Sequence, residues 1–189
     1  MGLNVEGQEN IPKHGAVIIA PNHISNWDPP IIAVSVALRR EVFFIAKEEL
    51  FSVNNFYSLL LRKCNVIPIK RQGIDKKAIR LTSFYLKRGR VIVIFPEGKR
   101  SRGKGFLKPL PGVGYFAIKN GIGIIPVFID GSSERMRNLI LRTKRVNVRF
   151  GKLIDVSKMN LRGSLLKRSH ELTNIVMKEI ISLGKECSR

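Results

Sequence analysis

A histidine and an aspartate, His23 and Asp28, stand five residues apart in the segment Ala20–Pro30. On an ideal α-helix this spacing separates two side chains by roughly 140°, too far for a direct contact. Two prolines follow the aspartate and disfavour a helical conformation there, so we expect His23 to end a strand and Asp28 to cap the next helix. In such a loop Asp28 can accept a hydrogen bond from Nδ1 of His23 and leave Nε2 free as a general base. Spacing alone also fits a simple cap beside an ordinary loop histidine.

Two residues are candidate nucleophiles, but neither lies in a sequence typical of one. Ser25 has no Gly-x-Ser-x-Gly turn around it, and we expect it to form hydrogen bonds within the loop. Cys64 follows two cations, which favour a thiolate, but it borders a predicted strand, where cysteines are commonly buried and inert. We therefore expect the base to act directly on a substrate hydroxyl.

Basic residues follow two further apolar runs. The loop Pro96–Gly105 begins with Glu97 and then carries several cations, and five basic residues lie between Lys99 and Lys108. Lys70 and Arg71 close another run in the same way. Because the carboxyl ends of parallel strands meet at one edge of a sheet, these loops are expected beside His23. A glycine-rich turn with arginines predicts a phosphate site, although a solvated basic loop fits the pattern as well.

Alternating strand and helix patterns would position these loops. Short β-branched runs flanked by Gly or Pro predict buried strands at Ala16–Ala20, Val42–Ala46, Asn65–Ile69, Val91–Phe95 and Ile124–Ile129. Helical patterns lie between them at Pro30–Leu38, Phe51–Arg62, Asp75–Lys87 and Gly112–Asn120. This alternation predicts an α/β fold with a largely parallel, mixed central sheet flanked by helices.

The last third of the chain differs in character but carries no sign of a second domain. Val146–Phe150 alternates like a strand, and Ser164–Leu183 has apolar residues at helical spacing. We expect one domain over residues 1–189, with a motif-bearing core at about 5–131 and a basic strand region and C-terminal helix at 132–189.

Composition limits the partners. Lys and Arg total 34 against 14 acids, a net charge of +20 that attracts polyanions such as nucleic acid, anionic lipid or phosphorylated substrates. A nucleic-acid-binding protein is the main rival class, but zinc-type spacings and RNP-type aromatic motifs are missing, so no nucleic-acid partner is expected. Two distant cysteines indicate a reducing compartment and no metal site. No apolar run is long enough to span a bilayer, and no signal peptide is visible.

Four ordered segments together resemble the lysophospholipid acyltransferases of the 1-acyl-sn-glycerol-3-phosphate acyltransferase (PlsC) type. The matching segments are Asn22–Asp28 for Asn-His-x-Ser-x-x-Asp, Val66–Arg71 for a strand ending in arginine, Phe95–Ser101 for Phe-Pro-Glu-Gly-Thr-Arg-Ser, and Ile125–Ile129 for an apolar-Pro-Val strand. In the third segment Lys99 replaces the threonine. The resemblance spans about 5–131 and implies a glycerolipid acyltransferase-like fold.

The resemblance implies transfer of a fatty acyl group to the free sn-2 hydroxyl of lysophosphatidic acid, which gives phosphatidic acid. The donor would be a thioester, acyl-CoA or acyl-carrier protein, used as a co-substrate without any other cofactor or metal. His23 would deprotonate the hydroxyl and Asp28 would orient His23, without an acyl-enzyme. Another lysolipid or glycerol 3-phosphate remains an alternative acceptor, and a non-catalytic lipid-binding domain of the same fold is a further alternative.

The resemblance also assigns a binding site for the acceptor. Its phosphate would be held by Arg71, Gly98 and Arg100. Glu97 would shape that site or contact the glycerol, Pro126 would shape the acyl-chain wall, and Lys99 would add a cation beside the phosphate.

Members of this family commonly carry an N-terminal hydrophobic anchor, whereas this chain opens almost at the first segment. We therefore expect a cytoplasmic protein bound peripherally to the anionic inner face of a membrane. The apolar and basic stretches Leu50–Lys63 and Arg135–Arg145 are candidates for this contact, although ordinary core packing explains each equally well. Trp27 is expected to pack beside His23 and Asp28.

Overall fold

The computed structural model describes residues 2–49, 65–70, 75–102, 104–132 and 145–187 of the 189-residue chain. Within these ranges the strands are β1 (Gly2–Glu6), β2 (Val17–Pro21), β3 (Val42–Lys47), β4 (Val66–Ile69), β5 (Val91–Val93), β6 (Ile124–Asp130) and β7 (Arg145–Phe150). The helices in the same ranges are α1 (Asp28–Ala37), α2 (Lys76–Lys87), α3 (Gly112–Asn120) and α4 (Leu165–Cys187). Short 3₁₀ turns cover Gln8–Asn10 and Val156–Lys158.

The described strands form a seven-stranded sheet in the order β1-β7-β6-β2-β5-β3-β4. Strands β6, β2, β5, β3 and β4 run parallel to one another. Strand β7 pairs antiparallel with β6, and β1 pairs parallel with β7. The predicted fold class, a largely parallel, mixed sheet flanked by helices, is confirmed.

Both faces of the sheet are covered, which explains the nearly continuous apolar runs of its central strands. Alternate residues of β2 enter different clusters: Val17 and Ile19 pack with α1, whereas Ile18 and Ala20 pack with α3 and α4. Helix α1 therefore lies on the face of the sheet opposite to α3 and α4.

Most predicted elements are confirmed to within one or two residues. Strand β5 stops at Val93, before the turn at Pro96, and α4 continues beyond its predicted end at Leu183 to Cys187. Strand β1 is not predicted from the sequence, because its pattern is short and its neighbour among the described strands is β7, 143 residues away at the pair Gly2 and Arg145. The predicted helix Phe51–Arg62 lies outside the described residues.

The starts of helices α2 and α1 are capped differently. Asp75 caps α2, accepting a 2.9 Å hydrogen bond from the N–H of Ala78. The prediction that Asp28 caps α1 is wrong, because the helix begins at Asp28 and Trp27 occupies the cap position without a side-chain hydrogen bond. Asp28 instead turns its carboxylate back towards the preceding loop, where other donors occupy both oxygens.

No helix in the described ranges is both long enough and apolar enough to cross a membrane.

Candidate active site

Three loops meet where parallel strands end. His23 follows β2, Glu97 follows β5 and Ser132 follows β6, and these strands are neighbours in the sheet. The convergence predicted for the first two loops is confirmed by direct contacts, since the backbone N–H of His23 donates a 2.9 Å hydrogen bond to Oε1 of Glu97.

The side chains of His23 and Asp28 are in direct contact. Nδ1 of His23 lies 2.7 Å from Oδ2 of Asp28. The aspartate is fully buried, while the histidine side chain is 16% exposed. An ionised carboxylate can only accept hydrogen bonds, so this contact places the proton on Nδ1. Nε2 has no hydrogen-bond partner among the residues described and is available to a proton on a substrate.

Asp28 also organises the loop that carries His23. Its Oδ2 accepts hydrogen bonds from the backbone N–H groups of Ile24 at 2.7 Å and Ser25 at 2.8 Å. Its Oδ1 accepts one from the hydroxyl of Ser132 at 2.5 Å. The loop thus wraps around a single carboxylate, and this geometry makes a five-residue spacing suitable for a His–Asp pair.

Two further side chains fix the histidine. The ring of Phe95 stacks on His23, with centroids 4.1 Å apart and planes 26° from parallel. Asn22 fastens the end of β2 to β6: its amide donates to the carbonyl of Ile129 at 2.9 Å, and its Oδ1 accepts from the N–H of Ile129 at 2.7 Å. Among the described residues, the aromatic ring that stacks on His23 is therefore that of Phe95, whereas Trp27 is solvent-exposed.

Glu97 fastens the basic loop to the histidine loop. Its carboxylate is buried, and its second oxygen accepts a 2.8 Å hydrogen bond from the N–H of Leu107. Burial raises the pKa of Glu97 above its ordinary value, while the two N–H donors oppose that rise. A backbone bond of 2.8 Å from Ser101 N–H to His23 O joins the same two loops.

The basic loop presents its cations to solvent. Lys99 is exposed, Arg100 is partly exposed, and within the described ranges neither makes an ion pair or a side-chain hydrogen bond. Gly98 has a φ of 65°, and its N–H donates to the carbonyl of Phe95 at 3.1 Å, so this glycine closes the turn.

Of the predicted site residues, one lies outside the described part of the chain and another lies away from this cluster. Arg71 lies outside the described residues. Pro126 is buried in the middle of β6 opposite Ala20, and its carbonyl accepts a bond from the N–H of Gly151. Its part in an acyl-chain wall stays a prediction.

Sequence reasoning missed the contacts of Ser132 and Phe95. Ser132 is the first hydroxyl-bearing residue after β6, so the strand-end rule that selected His23 and Glu97 could have selected it too. Its partner Asp28 lies 104 residues earlier, and no local pattern reveals that pairing. The residues at these strand ends together form a rim. There the fixed imidazole of His23 can take a proton from a hydroxyl, and the cations of the basic loop lie nearby for an anionic substrate.

Known proteins resemble this chain in sequence and in overall fold. The family model described as "Acyltransferase" matches residues 2–130. The chain is 32% identical over 192 residues to a 1-acyl-sn-glycerol-3-phosphate acyltransferase of Borreliella burgdorferi, covering 94% of this chain and 69% of that protein. The Escherichia coli enzyme of the same name is 28% identical, with coverages of 98% and 76%. The crystal structure of the 1-acyl-sn-glycerophosphate (LPA) acyltransferase PlsC from Thermotoga maritima superposes with a TM-score of 0.75 at 27% identity, covering 98% of this chain and 72% of that one.

Proposed function

The chain belongs to the acyltransferase family, and on that premise we propose that it transfers a fatty acyl group from a thioester to the free sn-2 hydroxyl of lysophosphatidic acid. The observation that carries this proposal is the 2.7 Å contact between Nδ1 of His23 and Asp28 at the strand ends. The names of the relatives in Borreliella burgdorferi and Escherichia coli support the acceptor.

In the proposed reaction His23 acts as a general base. Nε2 removes the proton of the acceptor hydroxyl, and the oxygen attacks the thioester carbonyl. The carbon–sulfur bond then breaks and the ester forms, and the departing thiolate takes the proton from Nε2 and leaves as the free thiol, which returns His23 to its neutral form. Asp28 orients the ring and stabilises the imidazolium between these steps. No enzyme nucleophile takes part, and we propose acyl-CoA or acyl-carrier protein as the donor.

The acceptor phosphate is proposed to bind at the basic loop. The guanidinium of Arg100 can donate two hydrogen bonds to one phosphate, and Lys99 adds a charge beside it. Gly98 supports this site because its conformation closes the turn, and Glu97 supports it because its hydrogen bonds hold the loop in place. Arg71 is proposed to contribute a second guanidinium. Within the described residues Arg100 and Lys99 have no ion-pair partner, so their charges are available to a ligand.

A lipid surface is the proposed partner that delivers the acceptor. Helix α1 begins next to the catalytic pair, and between Ile24 and Leu38 the only charged residue is the buried Asp28. Its outward residues are apolar: Trp27, Pro30, Val34, Ala37 and Leu38 are exposed. An uncharged helix face on a protein of net charge +20 fits an anionic bilayer, where apolar contact and charge attraction act together.

A thioester-dependent acylation assay with lysophosphatidic acid tests the proposal. His23→Ala should lower turnover by roughly 10²–10⁴-fold, while the control His170→Ala, an exposed histidine on α4, should retain wild-type activity. Equal rates for the two variants would refute the mechanism. If the wild-type protein acylates glycerol 3-phosphate or another lysolipid but not lysophosphatidic acid, the acceptor is wrong.

A further inference from the structure

We infer that Ser132 is a positioning residue of the active site, which holds the carboxylate of Asp28 ionised and aimed at His23. This inference rests on the proposed function, in which the His–Asp pair removes a proton from the acceptor.

The hydrogen-bond donors around Asp28 are distributed unevenly between its two oxygens. Three donors, Nδ1 of His23 and two loop N–H groups, converge on Oδ2. Within the described part of the chain, Oδ1 has one partner, the hydroxyl of Ser132 at 2.5 Å. Both residues are fully buried, so water does not replace that donor. Ser132 therefore supplies the hydrogen bond that completes the solvation of a buried charge.

The turn after β6 directs Ser132 to this place. Gly131 directly follows β6 and has a φ of 77°, a conformation that favours glycine. A Cβ at Gly131 would overlap the backbone carbonyl oxygen of Arg145. The glycine lets β6 and β7 approach closely while the chain turns, and the next side chain then points at Asp28 beneath the loop of β2.

The hydroxyl of Ser132 also affects the protonation of the His–Asp pair. A buried ionised carboxylate is less stable when one of its oxygens has no hydrogen-bond donor. Loss of the Ser132 hydroxyl therefore favours the protonated forms of the His–Asp pair. Among the described residues, the titratable groups that act on Asp28 are His23, in direct contact, and Glu97, whose charge interacts with that of Asp28. The acid limb of the kcat/KM profile reports the protonation of the His–Asp pair as a unit. Removing the hydroxyl should therefore move this limb to higher pH.

The test compares Ser132→Ala with Ser132→Thr, which keeps the hydroxyl. The control is Ser169→Ala, which removes another fully buried hydroxyl, one bonded to the backbone of Leu165 within α4. We expect Ser132→Ala to lower kcat about 10- to 100-fold, with the KM for lysophosphatidic acid within about twofold and the acid limb moved upward. Ser132→Thr should restore the profile, and Ser169→Ala should leave kcat and the profile unchanged.

NMR titration of the His23 imidazole separates this inference from the proposed function, because it needs no substrate. The imidazole signal of His23 is assigned by its disappearance in His23→Ala. The midpoint of its titration should rise in Ser132→Ala even if lysophosphatidic acid is not the acceptor. A wild-type midpoint and a wild-type acid limb in Ser132→Ala would overturn the inference. If Ser132→Ala does not fold, Ser132→Cys, a weak donor of similar size, should show the same rise, and an unchanged midpoint there would overturn it.

Discussion

Oε1 of Glu97 accepts a 2.9 Å hydrogen bond from the backbone N–H of His23, a residue 74 positions earlier in the chain. Through its other oxygen the same carboxylate holds the N–H of Leu107 at 2.8 Å. One buried side chain thus joins the loop that carries the proposed base to the loop that carries the proposed phosphate ligands. We infer that Glu97 keeps these loops in register rather than touching the reacting atoms.

Glu97→Gln should loosen this junction. Glutamine keeps one carbonyl oxygen but turns an NH₂ group towards the second N–H donor, so one buried hydrogen bond is lost. We expect a loss of about 1–3 kcal/mol in the free energy of unfolding and a lower kcat, because the His23 backbone is no longer held. Urea unfolding at pH 7 and steady-state kinetics measure both. The exposed Glu179→Gln on α4 controls for lost charge, and equal effects of the two variants would contradict this role.

The raised pKa of Glu97 predicts a specific pH dependence of stability. Burial lifts the folded-state pKa above its ordinary value of 4.5. Between those two values the folded protein binds more protons than the unfolded chain, so the contribution of Glu97 to the free energy of unfolding falls as pH rises through that window. The stability of the wild-type protein minus that of Glu97→Gln should therefore decline from pH 4.5 upward, then become constant above the folded pKa. A difference that increases with pH would contradict a raised pKa.

The sequence predicts the strands and their shared edge because both depend on local patterns. Apolar runs such as Ile124–Ile129 reveal a strand, and the parallel arrangement places the residues after each strand together. The cap assigned to Asp28 fails for a physical reason: its neighbours favour a cap, but His23 and Ser132 supply donors that a local pattern does not include. Contacts across 74 or 104 residues arise only when the sheet has formed.

Gly131→Ala and Gly121→Ala should separate backbone strain from a steric clash. Both glycines have positive φ, 77° and 63°, so alanine costs about 1–2 kcal/mol at each. At Gly121 no atom lies within 4 Å of an added Cβ, and activity should be unchanged. At Gly131 the Cβ would overlap the carbonyl of Arg145, which forces the turn and Ser132 to move.

We therefore expect Gly131→Ala to lose more stability than Gly121→Ala and to lose kcat as well. Thermal unfolding and the acylation assay give the two readings for each variant. Equal losses of stability with full activity in both would mean that the turn at Gly131 does not position Ser132.

Arg100→Ala tests the proposed phosphate site. If the guanidinium binds the acceptor phosphate, its loss should raise the KM for lysophosphatidic acid about 10- to 100-fold at low salt and change kcat little. The effect should shrink as salt screens the interaction. Lys104→Ala, an exposed cation in the same loop, is the matched control and should change KM about twofold or less. A rise in KM that is equal for both variants would indicate general charge attraction instead of a defined site.

Helix α1 offers a test of lipid binding that is independent of catalysis. Val34 on its outward face is 64% exposed, and Leu38, the residue after its last turn, is 93% exposed. A carboxylate at either position would be unfavourable next to both lipid acyl chains and anionic headgroups. We expect Val34→Glu and Leu38→Glu each to weaken binding to vesicles with anionic lipid about 10-fold at low salt. Sedimentation with vesicles measures the bound fraction.

The control is Leu166→Glu, which adds the same charge at a leucine 61% exposed on α4. Because α4 packs on the opposite face of the sheet from α1, this change lowers the net charge equally but leaves the α1 face intact. A general loss of charge attraction would weaken all three variants alike, and that result would exclude α1 as the docking face. A loss confined to Val34→Glu and Leu38→Glu would place the bilayer beside Trp27 and the loop of His23, where a membrane-held acceptor can reach Nε2.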